Sequence, residues 1–146
     1  MEDMIRSMAD APDDQRKSMI RERLMTFLSQ EENERQSGQK ELIEMLSRLA
    51  PEQRERFVRT RTEIIAELDE EQRKKLMVSR WIAGKAASEG ANQADLMAVI
   101  KSLSGLAAEP KMAFVGTLKG IVMSMPEQER SMMMSMFPDE VKQMLM

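Results

Sequence analysis

The C-terminal stretch reads MAFVGTLKGIVMSM (112–125), PEQERSMMMSMF (126–137) and PDEVKQMLM (138–146). In its first part Phe114, Val115, Leu118, Ile121, Val122 and Met125 recur at i, i+1, i+4, i+7, i+8 and i+11. That spacing places them on one face of a helix. Pro110 suits the first turn of this helix, where a missing N–H costs nothing. Gly116 and Gly120 sit inside it, each costing about 0.5–1 kcal/mol relative to Ala, so close approach of another helix is the expected return. Pro126 and Pro138 each predict the first residue of a further helix. Acids follow both, Glu127/Glu129 and Asp139/Glu140, and suit the positive end of a helix. Helices this short are marginal in isolation and need packing or a partner to hold them.

The same helical logic extends outward. Ala, Leu, Met, Glu, Gln, Lys and Arg dominate, and no strand-length alternation of β-branched residues occurs. The chain is therefore all-α. A compact bundle or short array of about six to eight helices is expected. Length predicts a single domain over 1–146. Within it GKAASEGANQ (84–93) reads as the best loop, dividing possible sub-units 1–83 and 93–146 across a loop at 84–92.

Toward the N-terminus, Met1, Met4, Ile5 and Met8 suggest a short amphipathic turn. Pro12, Asp13 and Asp14 open a helix with Met19, Ile20, Leu24, Phe27 and Leu28 on its face. Residues 29–40 lack any large apolar side chain and read as a solvated helix or linker, with Ser37-Gly38 the expected break. Leu42, Ile43, Leu46 and Leu49 give a core face. Pro51 starts the next helix, Asp69 is a candidate cap, and Asn92-x-x-Asp95 fits a helix start. Between 51 and 75, seven acids face seven bases, which predicts exposed pairing.

PEQRERFV (51–58), EEQRKKLM (70–77) and PEQERSMM (126–133) align without gaps, and DDQRKSMI (13–20) fits the same frame. Offsets of 19, 56 and 38 residues are not a constant period. The recurrence therefore reads as a favoured helix start used repeatedly, and a helical array of related units is the sharper alternative.

SMPEQERSMMMSMFPDEVKQMLM (124–146), with echoes at 50–58 and 69–77, resembles the Pro-started short helices of the magnesium-transporter amino-terminal domain and flagellar motor-switch family. The resemblance implies a right-handed superhelical array that binds protein partners. Regular double-proline units are missing here. Leu-x-x-x-Gln at 68–72 and Ala-Pro-Glu-Gln at 50–53 also resemble helical periplasmic stress proteins, without their Thr.

Composition narrows the chemistry. With no His and no Cys, Ser-His-Asp and Cys-His catalysis, thiolate metal sites and Glu-x-x-His di-iron ligation are ruled out. No Ca²⁺ loop or phosphate-cradling glycine loop is written in the sequence. Net charge is −3, and acids interleave the Arg54, Arg56, Arg59, Arg61, Arg73, Lys74, Lys75, Arg80 and Lys85 stripe, so no nucleic acid is expected. Carboxylates read as solvated surface. The apolar run at 112–125 is broken by Thr117 and Lys119 well short of a membrane span. MEDMIRSMAD lacks an apolar signal core, so a cytoplasmic protein is expected; a mature exported form would read the same.

What remains is methionine. Nine of the 17 methionines lie in 112–146, which makes this region the candidate contact surface. Three readings follow: core packing, an adaptable groove for an apolar partner helix, or Cu(I) held by Met123, Met125, Met132, Met133, Met134 and Met136. Met132–Met134 cannot share one helix face. The expectation is a non-enzymatic, cofactor-free interaction module. Phe114, Leu118, Met123, Met125, Met132, Met133, Met134, Met136 and Phe137 are its partner-binding residues, and self-association is its expected mode. A thioether Cu(I) or metal-stress protein is the alternative.

Overall fold

In a computed structural model of residues 1–146, the chain forms nine helices and no strand. They are α1 (Glu2–Asp10), α2 (Asp13–Ser29), α3 (Glu32–Leu46), α4 (Pro51–Glu67), α5 (Glu70–Ala86), α6 (Glu89–Leu103), α7 (Ala108–Ser124), α8 (Glu127–Ser135) and α9 (Asp139–Leu145). The all-α expectation holds, with nine helices instead of six to eight. No helix is long and apolar enough to cross a membrane.

Helices α2 to α8 begin at residues 13, 32, 51, 70, 89, 108 and 127, a constant interval of 19. This corrects the reading of an irregular recurrence. The proline at 126 lies one residue before its helix rather than at its first position, which shifts the alignment out of step. Pro138 likewise precedes α9, whereas Pro51 is the first residue of α4. Most joints are made by two extended residues, as at Gln30–Glu31, Leu68–Asp69 and Ala87–Ser88. Every helix carries an acid in its first turn, where the helix dipole favours negative charge. Asp69 caps α5 by accepting the Gln72 N–H at 2.9 Å, and Gln53 Oε1 accepts the Ala50 N–H at 3.1 Å.

Most helices pack chiefly on those two and three places along the chain, as α3 on α5, α4 on α6 and α4 on α7, and touch their successors less; α8 instead rests chiefly on α7. One apolar cluster takes residues from all nine helices, from Ile5 in α1 through Phe57 and Ile64 in α4 to Leu145 in α9. Full burial of side chains such as Phe57, Ile64 and Leu76 contributes about 1.5–3 kcal/mol each.

The fourth residue of each 19-residue unit is Arg16, Arg35, Arg54, Arg73, Asn92, Lys111 and Arg130. The five arginines donate to the carbonyl five residues back: Ala11, Gln30, Leu49, Leu68 and Met125. Arg35, Arg54 and Arg73 reach a second carbonyl in the preceding helix, at Phe27, Leu46 and Ala66. The last carbonyls of a helix have no intrahelical donor, and they form its negative end. The arginine therefore serves as the stop of one helix from within the start of the next. Two of these arginines also tie to the helix two places on, at an identical separation. Arg16 Nε donates to Thr60 Oγ1 at 2.9 Å, and Arg73 Nε to Thr117 Oγ1 at 2.7 Å.

Two expected breaks are absent. Residues 84–92 are not a loop: α5 runs to Ala86 and α6 begins at Glu89, so only Ala87–Ser88 intervene. Likewise α3 continues through Ser37-Gly38, where a Cβ on Gly38 would lie 2.7 Å from the Phe27 ring. In both places glycine permits close packing inside a helix rather than ending it. The reverse holds for Gly116 and Gly120. Nothing lies within 4 Å of where their Cβ atoms would be, so no helix approaches there.

Candidate functional site

The nine residues expected to bind a partner fall into three groups. Phe114, Leu118, Met133 and Phe137 are buried; Met123, Met132 and Met136 are exposed; Met125 and Met134 lie half-buried against the core. The exposed group is a surface. Met132 and Met136 stand one turn apart, in and just after α8, and are 50% and 41% exposed. Of the six sulfurs considered for Cu(I), only those of Met123, Met132 and Met136 belong to exposed residues.

The buried four line a partly open cavity of about 80 Å³. Helices α2 to α8 all contribute to its wall, which includes Phe27, Leu76 and Trp81. Helix α8 is fastened over it at Glu129. This carboxylate accepts from Trp81 Nε1 at 3.0 Å and from Lys85 Nζ at 2.9 Å. The Lys85 ammonium also lies 5.6 Å from the Trp81 ring centroid. Lys85, then Trp81, hold the Glu129 carboxyl below the usual carboxylate range.

The cavity wall is apolar except for Gln39, Arg61, Thr62 and Arg80. Both arginines converge on Asp95, which is fully buried. Arg61 Nη2 donates to Asp95 Oδ1 at 2.8 Å and Arg80 Nε to Oδ2 at 2.9 Å. Arg80 Nη2 donates to Asn92 Oδ1 at 2.8 Å, while Arg80 Nη1 is buried with no partner. Burial alone would raise the Asp95 pKa. The Arg61 and Arg80 charges outweigh it and hold the carboxyl below its ordinary range. Burial lowers the Arg80 pKa, with Asp95 opposing, but a guanidinium starting so high stays charged.

The triad interrupts the repeat. Asp95 is the seventh residue of its unit, where Met19, Phe57, Leu76, Phe114 and Met133 stand in others. Arg61 and Arg80 are the eleventh, where Leu42, Val99, Leu118 and Phe137 stand, and where the α2 unit also has an arginine, Arg23. Asn92 replaces the basic fourth residue, and Gly84 stands where Phe27, Leu46, Ile65, Leu103 and Val122 are found. All five departures meet at one point. A Cβ on Gly84 would collide with Arg80 Nη1 and Asn92 Oδ1. Gly84→Ala is therefore expected to cost about 1–3 kcal/mol, an overpacking penalty larger than the helix-propensity gain. Gly116→Ala and Gly120→Ala, with open space around them, are expected to stabilise by about 0.5–1 kcal/mol each. Thermal denaturation of the three variants checks the opposite signs.

Reading the residues locally misses this centre. Arg61 and Arg80 fall on apolar helix faces, beside Phe57 and Ile64 and beside Leu76 and Trp81, and also count in a basic stripe; Arg61 and Arg73 are buried, and the Arg80 side chain is 15% exposed. Asp95 passes for part of a helix start, yet it lies well inside α6. The 19-residue register is the signal that exposes it, since it aligns Asp95 with Phe57, Leu76 and Phe114. Compared with known proteins, the chain matches no family model, no curated protein and no solved structure.

Proposed function

We propose that this protein is a non-enzymatic helical interaction module that associates with a second copy of itself through its C-terminal methionine surface. The observation that carries the reading is a selectivity of exposure. All nine large apolar side chains that are exposed are methionines: Met1, Met4, Met25, Met97, Met112, Met123, Met132, Met136 and Met146. Leucine, isoleucine, valine and phenylalanine are buried or half-buried, while the flexible thioethers that suit adaptable contact surfaces are left out. Five of the nine lie in 112–146. Met132 and Met136, one turn apart at α8, bring two of these thioethers together. The 19-residue interval and the packing of helices two and three places apart also support our reading of the chain as a short right-handed array, as its resemblance to the magnesium-transporter and motor-switch domains implies.

Met132→Glu and Met136→Glu test the reading against a buried control. Each is expected to leave the melting temperature nearly unchanged and to remove concentration-dependent self-association in light scattering. Met133→Glu, at a position 4% exposed, is expected to lose several kcal/mol by burying an unpaired charge. A wild-type chain that stays monomeric at high concentration would sink the proposal.

A further inference from the structure

We infer that the cavity bounded by Trp81, Arg61 and Arg80 is a binding site for a small organic monocarboxylate of about two to four carbons. Three independent features converge on that ligand. First is charge. Two guanidiniums that line the cavity share one carboxylate, which leaves one positive charge uncompensated within the triad. A buried charge without a counter-ion is costly, and a carboxylate is the anion whose geometry matches a guanidinium fork. Second is the remaining wall, where Phe114, Met133 and Phe137 offer apolar surface to a short tail. Third is size. About 80 Å³ is roughly half the ~150 Å³ of an apolar cavity that takes benzene, a size suited to a short acid.

The departures from the repeat strengthen the assignment. An array that needed only stability would place apolar residues at 61, 80 and 95, as most of its other units do, Arg23 and Gly38 excepted. Charged groups have instead been gathered at one cavity wall, and Gly84 makes room for them. Local rules are most often broken where a site needs it. The ligand site and the methionine surface rest on different residues, so each stands or falls alone.

Trp81 is the sole tryptophan and there is no tyrosine, so intrinsic fluorescence reports directly on the cavity. The full chain is titrated with acetate, propionate, butyrate and octanoate at constant ionic strength and pH 7, with chloride as the ionic control and 1-butanol as the neutral match to butyrate. The expected result is a saturable change in Trp81 emission with propionate or butyrate. Butanol should bind at least about tenfold more weakly, since it lacks the charge-assisted bonds, and octanoate should not compete. Arg80→Met should abolish the preference for butyrate over butanol. No saturable response to any short carboxylate, or an equal response to butanol, overturns the proposal. That contrast is made on the wild-type chain, so it decides even where Arg80→Met fails to fold.

Discussion

Asp95→Leu lowers the free energy of unfolding by about 3–5 kcal/mol, because it leaves Arg61 and Arg80 buried without the carboxylate they share. The residue introduced is apolar, as at this position in five other units, so volume and pattern do not explain the loss. The informative comparison is Arg61→Leu/Asp95→Leu/Arg80→Leu. Replacing a whole buried ion cluster with apolar side chains is commonly neutral or stabilising by about 1–4 kcal/mol, because desolvation of three charges is no longer required. The triple variant should therefore recover wild-type stability or exceed it, read as the urea midpoint at an unchanged m-value. Such a result would separate the triad from stability. A triple variant no more stable than Asp95→Leu would mean the cluster is a net structural support. The acid limb gives a second readout. The Asp95 pKa is depressed in the folded state, so its stabilisation is present above the unfolded value of about 3.9 and is lost as pH falls through the lower folded value. The triple variant should lose less stability than wild type below about pH 4.

Much of the helical plan is legible in the sequence because its signals are local. Leu42, Ile43 and Leu46 fall on one buried face of α3, Pro51 begins α4, and Asp69 caps α5 as the spacing predicts. Glycine is where local reasoning fails. Gly38 and Gly84 have the composition of breaks, but their missing side chains are filled by Phe27 and by Arg80 with Asn92. Gly116 and Gly120 have the spacing of a close contact and meet nothing. Whether a glycine ends a helix or admits a neighbour depends on what the fold brings to it, and that is set across tens of residues. The methionine region divides for a similar reason. Periodicity finds the apolar face of α7 correctly, since Phe114, Leu118, Ile121 and Val122 are buried. It does not say that this face closes over a cavity shared with α2 to α6 rather than over a partner. The long-range ties, Arg16 to Thr60, Arg73 to Thr117 and Arg61 to Asp95, become visible only when the chain is laid out in units of 19.

That layout makes the fourth-position arginines a graded series, and Arg73 should be its most costly member. Arg73 is buried at 8% exposure and donates to the Ala66 carbonyl, the Leu68 carbonyl and Thr117 Oγ1. No carboxylate pairs with it; its charge sits against the negative end of α4. Arg73→Met keeps much of the aliphatic stem and removes every donor, which isolates the hydrogen bonds from packing. Charge-assisted bonds contribute about 1.5–3 kcal/mol each and are not additive, so about 3 kcal/mol is expected for the set. Arg54 is half-buried, reaches Leu46 and Leu49 at the longer distances of 3.5 and 3.3 Å, and finds no hydroxyl two helices on, where Ala98 stands. Arg54→Met should cost about 1 kcal/mol. Lys111 reaches no carbonyl, and Lys111→Met should fall within about 0.5 kcal/mol of wild type. A double-mutant cycle of Arg73→Met with Thr117→Val should return a coupling of about 0.5–3 kcal/mol, while Arg54→Met with Thr117→Val should be additive. Equal losses at 54, 73 and 111 would show that the position matters only for the helix it starts. A loss that follows the number and length of the bonds would identify these arginines as the joints that set one helix against the next.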